Sequence, residues 1–235
     1  MGRARLCGGV RRCALRRRLR VLPARQGRVR GGALRAALAL LAAFAILAAI
    51  VATGALDALD QALLALVQVP RSAALDLLAN LVTAAGQAEV TGTLAIGMAL
   101  ARLRHRRIDW WEPLGLFVVT IIEVTAKMLV PQPLPPRELS RSVPLAPFLT
   151  LPLRGAFPSG HVTRFAYLSG LFGVIPLWIR VGFLAVAIAT RIYLAEHWPS
   201  DTLGGLLLGV GGALVAGAIA TRMKRRRPGD AEGAR

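Results

Sequence analysis

Long, almost uncharged apolar stretches separated by short arginine-rich links leave this chain few ways to fold. About twenty apolar residues at a rise of about 1.5 Å each match the roughly 30 Å hydrocarbon layer of a bilayer. Inside such a layer every backbone N–H and C=O must be paired within its own segment, so helix is the available answer. Six stretches meet this description: Ala36 to Leu56, Ala73 to Leu100, Trp110 to Val130, His161 to Leu177, Val181 to Ala195 and Thr202 to Thr221. The fifth is short and holds Arg191. Between the first two, leucines alternate with Asp57, Asp60 and Gln61 across Asp57 to Arg71, the pattern of an amphipathic interfacial helix. The expected fold is all-α, a bundle of six transmembrane helices. A mean hydropathy of +0.55 argues against a soluble enzyme.

Charge placement orients the bundle. The chain carries +18, and its basic residues sit in runs: twelve arginines before residue 36, then Arg102, Arg104, Arg106 and Arg107, then Arg222, Lys224 and Arg225 to Arg227. With six spans all three runs fall on one side, so both termini should be cytoplasmic and loops 57–72, 131–160 and 196–201 external. The organisation expected is a basic cytoplasmic arm, 1–35, without fixed structure; a membrane domain, 36–221; and a basic tail, 222–235. Such runs suit anionic lipid at the cytoplasmic face and not nucleic acid, whose binding folds do not alternate charge with apolar spans. Cys7 and Cys13 lie in the arm with no histidine near them, so neither a disulfide framework nor a zinc site follows.

Ionisable groups inside or beside spans are costly and ask for a reason. Lys127, His161, Arg191, His197 and Asp201 all fall in the predicted external layer, which holds one of the two lysines and two of the three histidines. Any one of them alone reads as readily as a snorkelling interfacial side chain. Glu123, one turn before Lys127, reads as its helix-face partner. Glu89 reads equally as a cavity acid or as a protonated, hydrogen-bonded one.

Pro158-Ser159-Gly160-His161, and Arg191 followed at set intervals by His197 and Asp201, resemble the second and third motifs of the type 2 phosphatidic acid phosphatase superfamily. The resemblance covers roughly residues 85 to 221. That family's first motif is a lysine, six residues, then Arg-Pro; here Lys127 is followed at that interval by Leu134-Pro135, and the arginine is missing.

The resemblance implies an integral enzyme of the inner cell membrane that cleaves a lipid phosphate or diphosphate at the periplasmic or external face. His197 would attack phosphorus, Asp201 would orient it, and His161 would protonate the leaving oxygen. Ser159 and Gly160 at a helix amino terminus, with Lys127 and Arg191, would hold the phosphate. Arg137 or Arg164 would fill the place of the missing arginine. The acids are scattered, so no metal and no cofactor are expected. Substrates in range are undecaprenyl and other isoprenoid diphosphates, phosphatidic acid, phosphatidylglycerol phosphate and phosphorylated glycolipids. Phosphotransfer to a lipid acceptor, and an inactive scaffold or transport protein of the same fold, are the alternatives.

Overall fold

A computed structural model of the chain describes residues 24–143 and 155–226. Eight helices appear there: α1 Ala24–Ala52, α2 Asp57–Val67, α3 Ala73–Ala85, α4 Ala88–Arg104, α5 Gly115–Leu129, α6 Gly160–Leu171, α7 Leu177–Tyr193 and α8 Pro199–Arg226. Among the described residues two helices are long and apolar enough to cross a membrane unaided, Gly32–Ala52 and Pro199–Lys224. Both outlast their apolar runs, α1 beginning at Ala24 and α8 continuing through the first basic residues of the tail. Arginine is a good helix former, so a run started by apolar packing propagates into basic sequence. Residues 1–23 of the expected arm and 227–235 of the tail lie outside the described residues.

The single span expected over Ala73 to Leu100 is two helices, α3 and α4, broken at Gly86 and Gln87. Hydropathy averages over this break because the flanking residues remain apolar. Its cause is tertiary: His161 and Phe165 stand where a Gly86 side chain would be, and the Gly86 carbonyl accepts from Arg164 Nε at 3.4 Å and Nη2 at 3.2 Å. The short α2 lies where an amphipathic helix was expected, but its Asp60 turns inward and is buried.

Helix α6 is the hub, with every residue from Val162 to Leu168 buried. At twelve residues it spans only about 18 Å, and α8 packs along it on one side while α1 lies on α8. The crossing depends on small residues. A Cβ at Gly205 would strike the Ser159 carbonyl, and one at Gly209 would strike the Thr163 carbonyl and the Ala166 methyl. Large apolar side chains such as Leu77, Leu81, Val118, Ile121 and Trp178 face outward, a sheath suited to lipid. Trp198, by contrast, is buried, and its indole donates to the Pro133 carbonyl at 2.8 Å. We expect Gly209→Ala to destabilise the protein by about 1–3 kcal/mol through overpacking. Thermal unfolding in detergent checks this, with Gly97→Ala, where nothing lies within 4 Å of an added Cβ, as the tolerated comparison.

The described members of the basic runs meet at one end of the bundle. Lys224 Nζ reaches Asp109 at 3.0 Å, Arg107 Nη2 reaches it at 2.7 Å, and Arg102 pairs with Glu112. Arg35 and Arg222 line a cavity of about 720 Å³ together with Glu112. The hydrogen bond from Arg107, with help from Lys224, holds the Asp109 carboxyl well below the usual carboxylate range. A carboxyl depressed in the folded state adds stability above its unfolded pKa of about 3.9 and loses it as pH falls toward the folded value. The stability gap between wild type and Asp109→Asn should therefore be widest above about pH 5 and narrow steadily below about pH 4. Melting in detergent across that range measures it, and a gap constant with pH contradicts it.

Candidate active site

At the other end, three segments distant in sequence converge: the carboxyl end of α5, the loop and first turn of α6, and the turn from α7 into α8. Their junction begins with how α8 starts. Pro199 occupies its first position, where a missing N–H costs nothing, and the Trp198 carbonyl accepts the first helical bond from Thr202 N at 3.2 Å. Asp201, two residues further on, reaches back to accept the Trp198 N–H at 2.8 Å. This is the acidic half of a capping box. The same oxygen, Oδ2, faces His197 Nδ1 at 3.2 Å. The cap thus aims the carboxylate at the imidazole, and Nδ1 carries the proton if Asp201 is ionised, leaving Nε2 free to react.

Asp201 is fully buried and His197 6 % exposed. His197 lies in the turn between helices. Burial first, then the positive charges of Lys127 and Arg191, push its pKa well below the ordinary imidazole value, so it is neutral at pH 7. Across the junction, the Asp201 carbonyl accepts the Ser159 N–H at 2.9 Å, locking the start of α6 to the start of α8.

Several polar atoms at this junction are buried without a hydrogen-bond partner among the described residues: the possible donors Ser159 Oγ, His161 Nε2 and Arg191 Nε, and the acceptor Asp201 Oδ1. Unsatisfied buried polar atoms are rare in folded proteins and mark places built for something else. Ser159 caps α6 by position, yet its hydroxyl makes no bond to the helix. Gly160 follows, with the Glu123 carboxylate where its Cβ would be, so a larger residue would have to displace that carboxylate. His161 lies within electrostatic reach of Arg191, Arg164, Lys127 and His197. Two imidazoles, three cations, one hydroxyl and a helix amino terminus therefore share one neighbourhood.

The cations are held differently. Lys127 Nζ donates to the Ala156 carbonyl at 3.0 Å and stands 4.0 Å from Glu123 Oε1, the helix-face pairing expected of those two. Glu123 also takes Arg164 Nη1 at 3.1 Å, making it a shared anchor for two cations. Arg191 Nη2 lies 3.6 Å from Glu196, leaving Nε unengaged. Glu89 is half-buried in the first turn of α4, within electrostatic reach of Arg164. Arg137 is exposed in a 3₁₀ turn, Arg137–Leu139.

Residues 110–226, which contain this entire junction, match the model of the PAP2 superfamily. The chain belongs to the PAP2 superfamily. A curated relative named lipid A 1-phosphatase, from Rhizobium johnstonii (strain DSM 114642 / LMG 32736 / 3841), is 34% identical over 80 residues, 33% of each chain. The match thus spans about a third of that relative's length. Two solved structures share the fold. One, described as the first transmembrane PAP2 type phosphatidylglycerolphosphate phosphatase from Bacillus subtilis, superposes with a TM-score of 0.66 at 22% identity over 81% of this chain and 98% of its own. The other, Aquifex aeolicus LpxE, gives 0.51 at 23% identity over 70% and 95%.

Around this junction of the PAP2 chain, three buried contacts escaped sequence reading. Asp60 and Gln132 belong to a buried cluster on Ser200, and Gly86 packs on the His161 ring. An acid on the apolar side of α2's pattern was the available signal for Asp60. Gln132 gave none, because its role depends on a bend after α5 that no periodicity announces.

Proposed function

We propose that this PAP2 protein hydrolyses a phosphorylated membrane lipid through a phosphohistidine on His197. The observation that carries the reading is the set of buried, unpartnered polar atoms Ser159 Oγ, His161 Nε2 and Arg191 Nε gathered about a neutral, carboxylate-oriented imidazole. A phosphoryl group satisfies all of them. In the first step His197 Nε2 forms a bond to phosphorus as the ester P–O bond breaks, and His161 gives its proton to the departing oxygen. In the second, His161 takes a proton from water, whose oxygen attacks phosphorus and releases inorganic phosphate, restoring His197. Arg191, Lys127, Ser159 and the amides at the start of α6 stabilise charge on the non-bridging oxygens. The residues supply these functions without calling on a metal or cofactor.

The relatives' names, a lipid A 1-phosphatase and a phosphatidylglycerolphosphate phosphatase, support a phosphate carried on a membrane lipid as the substrate class. Gathering of the basic runs at the Asp109 end supports placing that end and both termini in the cytoplasm, with the site at the external face of the inner membrane and six spans in between. Arg164 takes the role of the absent first-motif arginine: it is buried, shares Glu123 with Lys127 and lies in reach of both imidazoles. Arg164→Ala should lower kcat/KM by at least about 30-fold, whereas Arg137→Ala should stay within a few-fold, in the range that separates removal of a buried charge contact from removal of a surface one. Phosphate release from a panel of lipid phosphates by purified protein tests the whole reading, and absence of release from every member rejects it.

A further inference from the structure

Asp60 lies on α2, outside the residues matched to the family, and is 3 % exposed. A buried carboxylate is costly unless it is well satisfied, and the three donors that reach this one are neutral. Oδ1 accepts the Ser200 N–H at 2.9 Å; Oδ2 accepts the Ser200 hydroxyl and Gln132 Nε2, the latter at 3.3 Å. Gln132 Nε2 also donates to Ser200 Oγ at 3.2 Å. The Gln132 carbonyl accepts the Ala156 N–H at 2.8 Å, and the Ala156 carbonyl receives Lys127 Nζ at 3.0 Å. One knot therefore ties together the end of α5, the loop before α6 and the first turn of α8.

Ser200 sits between His197 and Asp201 and directly precedes the latter. Successive helical residues are turned by about 100° around the axis, so fixing Ser200 against Asp60 fixes the direction in which Asp201 projects. The Trp198 indole on the Pro133 carbonyl at 2.8 Å is a second strap from the same loop. Asp60 makes no described contact with His197, His161 or Arg191. What it touches is the turn that carries His197 and Asp201.

We propose that Asp60 is a positioning residue for the His197–Asp201 pair, acting through Ser200 and Gln132, so that α2 belongs to the catalytic apparatus. The inference rests on the phosphatase reading for its kinetic consequence but not for its structural one. A misaim of about 1 Å at a reacting centre costs on the order of 100-fold in rate. Asp60→Ala should lower kcat on phosphatidic acid in mixed detergent micelles by at least about tenfold with KM within about twofold, because no atom of Asp60 binds substrate. Asp60→Asn should return kcat to within about threefold of wild type: its Oδ1 accepts the Ser200 amide, and a flipped Gln132 amide presents its oxygen to the new Nδ2.

The second measurement is the downfield proton resonance of the His197 Nδ1–H, assigned in the purified full-length protein by its loss in His197→Ala. It should shift or vanish in Asp60→Ala and persist in Asp60→Asn. Ser200→Ala, which keeps the backbone amide, should give an intermediate fall of about threefold and a smaller shift, and it serves if Asp60→Ala does not fold. Wild-type kcat and resonance in Asp60→Ala, or in Ser200→Ala where only that variant folds, overturn the proposal. So does an equal loss in Asp60→Ala and Asp60→Asn, which would assign the effect to charge and not to aim. A wild type that cleaves no lipid phosphate, but whose resonance responds as described, rejects the phosphatase reading and leaves the positioning role standing.

Discussion

Replacing His197 with alanine is expected to reduce lipid phosphate hydrolysis by at least about 10⁴-fold while KM changes by only a few-fold, because the nucleophile of a covalent mechanism acts as one unit with its partners. His197 is buried and faces Asp201 Oδ2, and burial with the nearby cations keeps it unprotonated. Removing the ring leaves the cap between Asp201 and the Trp198 amide intact, so the variant should still fold, at a lower melting temperature. Brief reaction with a ³²P-labelled lipid phosphate followed by denaturation should yield label in wild type that is stable to base and labile to acid, as a phosphoramidate is. His197→Ala should carry none. Label found in the variant at the wild-type level would mean that another group attacks.

Replacing His161 with alanine should lower turnover on an alkyl phosphate by about 10²–10⁴-fold, the range for loss of a positioned general acid. The loss should depend on the leaving group. An aryl phosphate with an acidic phenol departs without a proton, so there the first step should fall by far less than on the lipid. Hydrolysis of the phosphohistidine needs the same imidazole as base, so labelled enzyme should accumulate in this variant when an aryl phosphate is supplied. A deficit of equal size on both substrates, with no accumulation, would reassign His161 to binding. Its Nε2, buried and unpartnered at the start of α6, is the atom on which this division of labour depends.

The two imidazoles share one end of the bundle through structure that a linear reading only half reveals. Pro158 to His161 and Arg191 to Asp201 announced themselves by residue type and interval, and the family match over 110–226 spans both segments. The pairing of Glu123 with Lys127 was legible too, since one helical turn puts them on the same face. That Glu123 also holds Arg164 from another helix was not, nor was the choice between Arg164 and Arg137, because both follow the motif residues at intervals that suit a clamp. Burial separates them.

Sequence alone determined the all-helical class, the polar set placed at one end, and the clustering of basic runs, because hydropathy and the expense of charge in an apolar layer are local properties that each residue carries with it. Only the tertiary structure decided where a continuous apolar stretch breaks, which acid turns inward and which arginine is buried. Gly86 ends α3 because His161, Phe165 and Arg164 of a distant helix occupy the space beside it, and Asp60 is buried because Ser200 and Gln132 meet it there. Those outcomes belong to pairs of segments, and a hydrogen bond between residues 140 positions apart leaves no periodic trace in either of them.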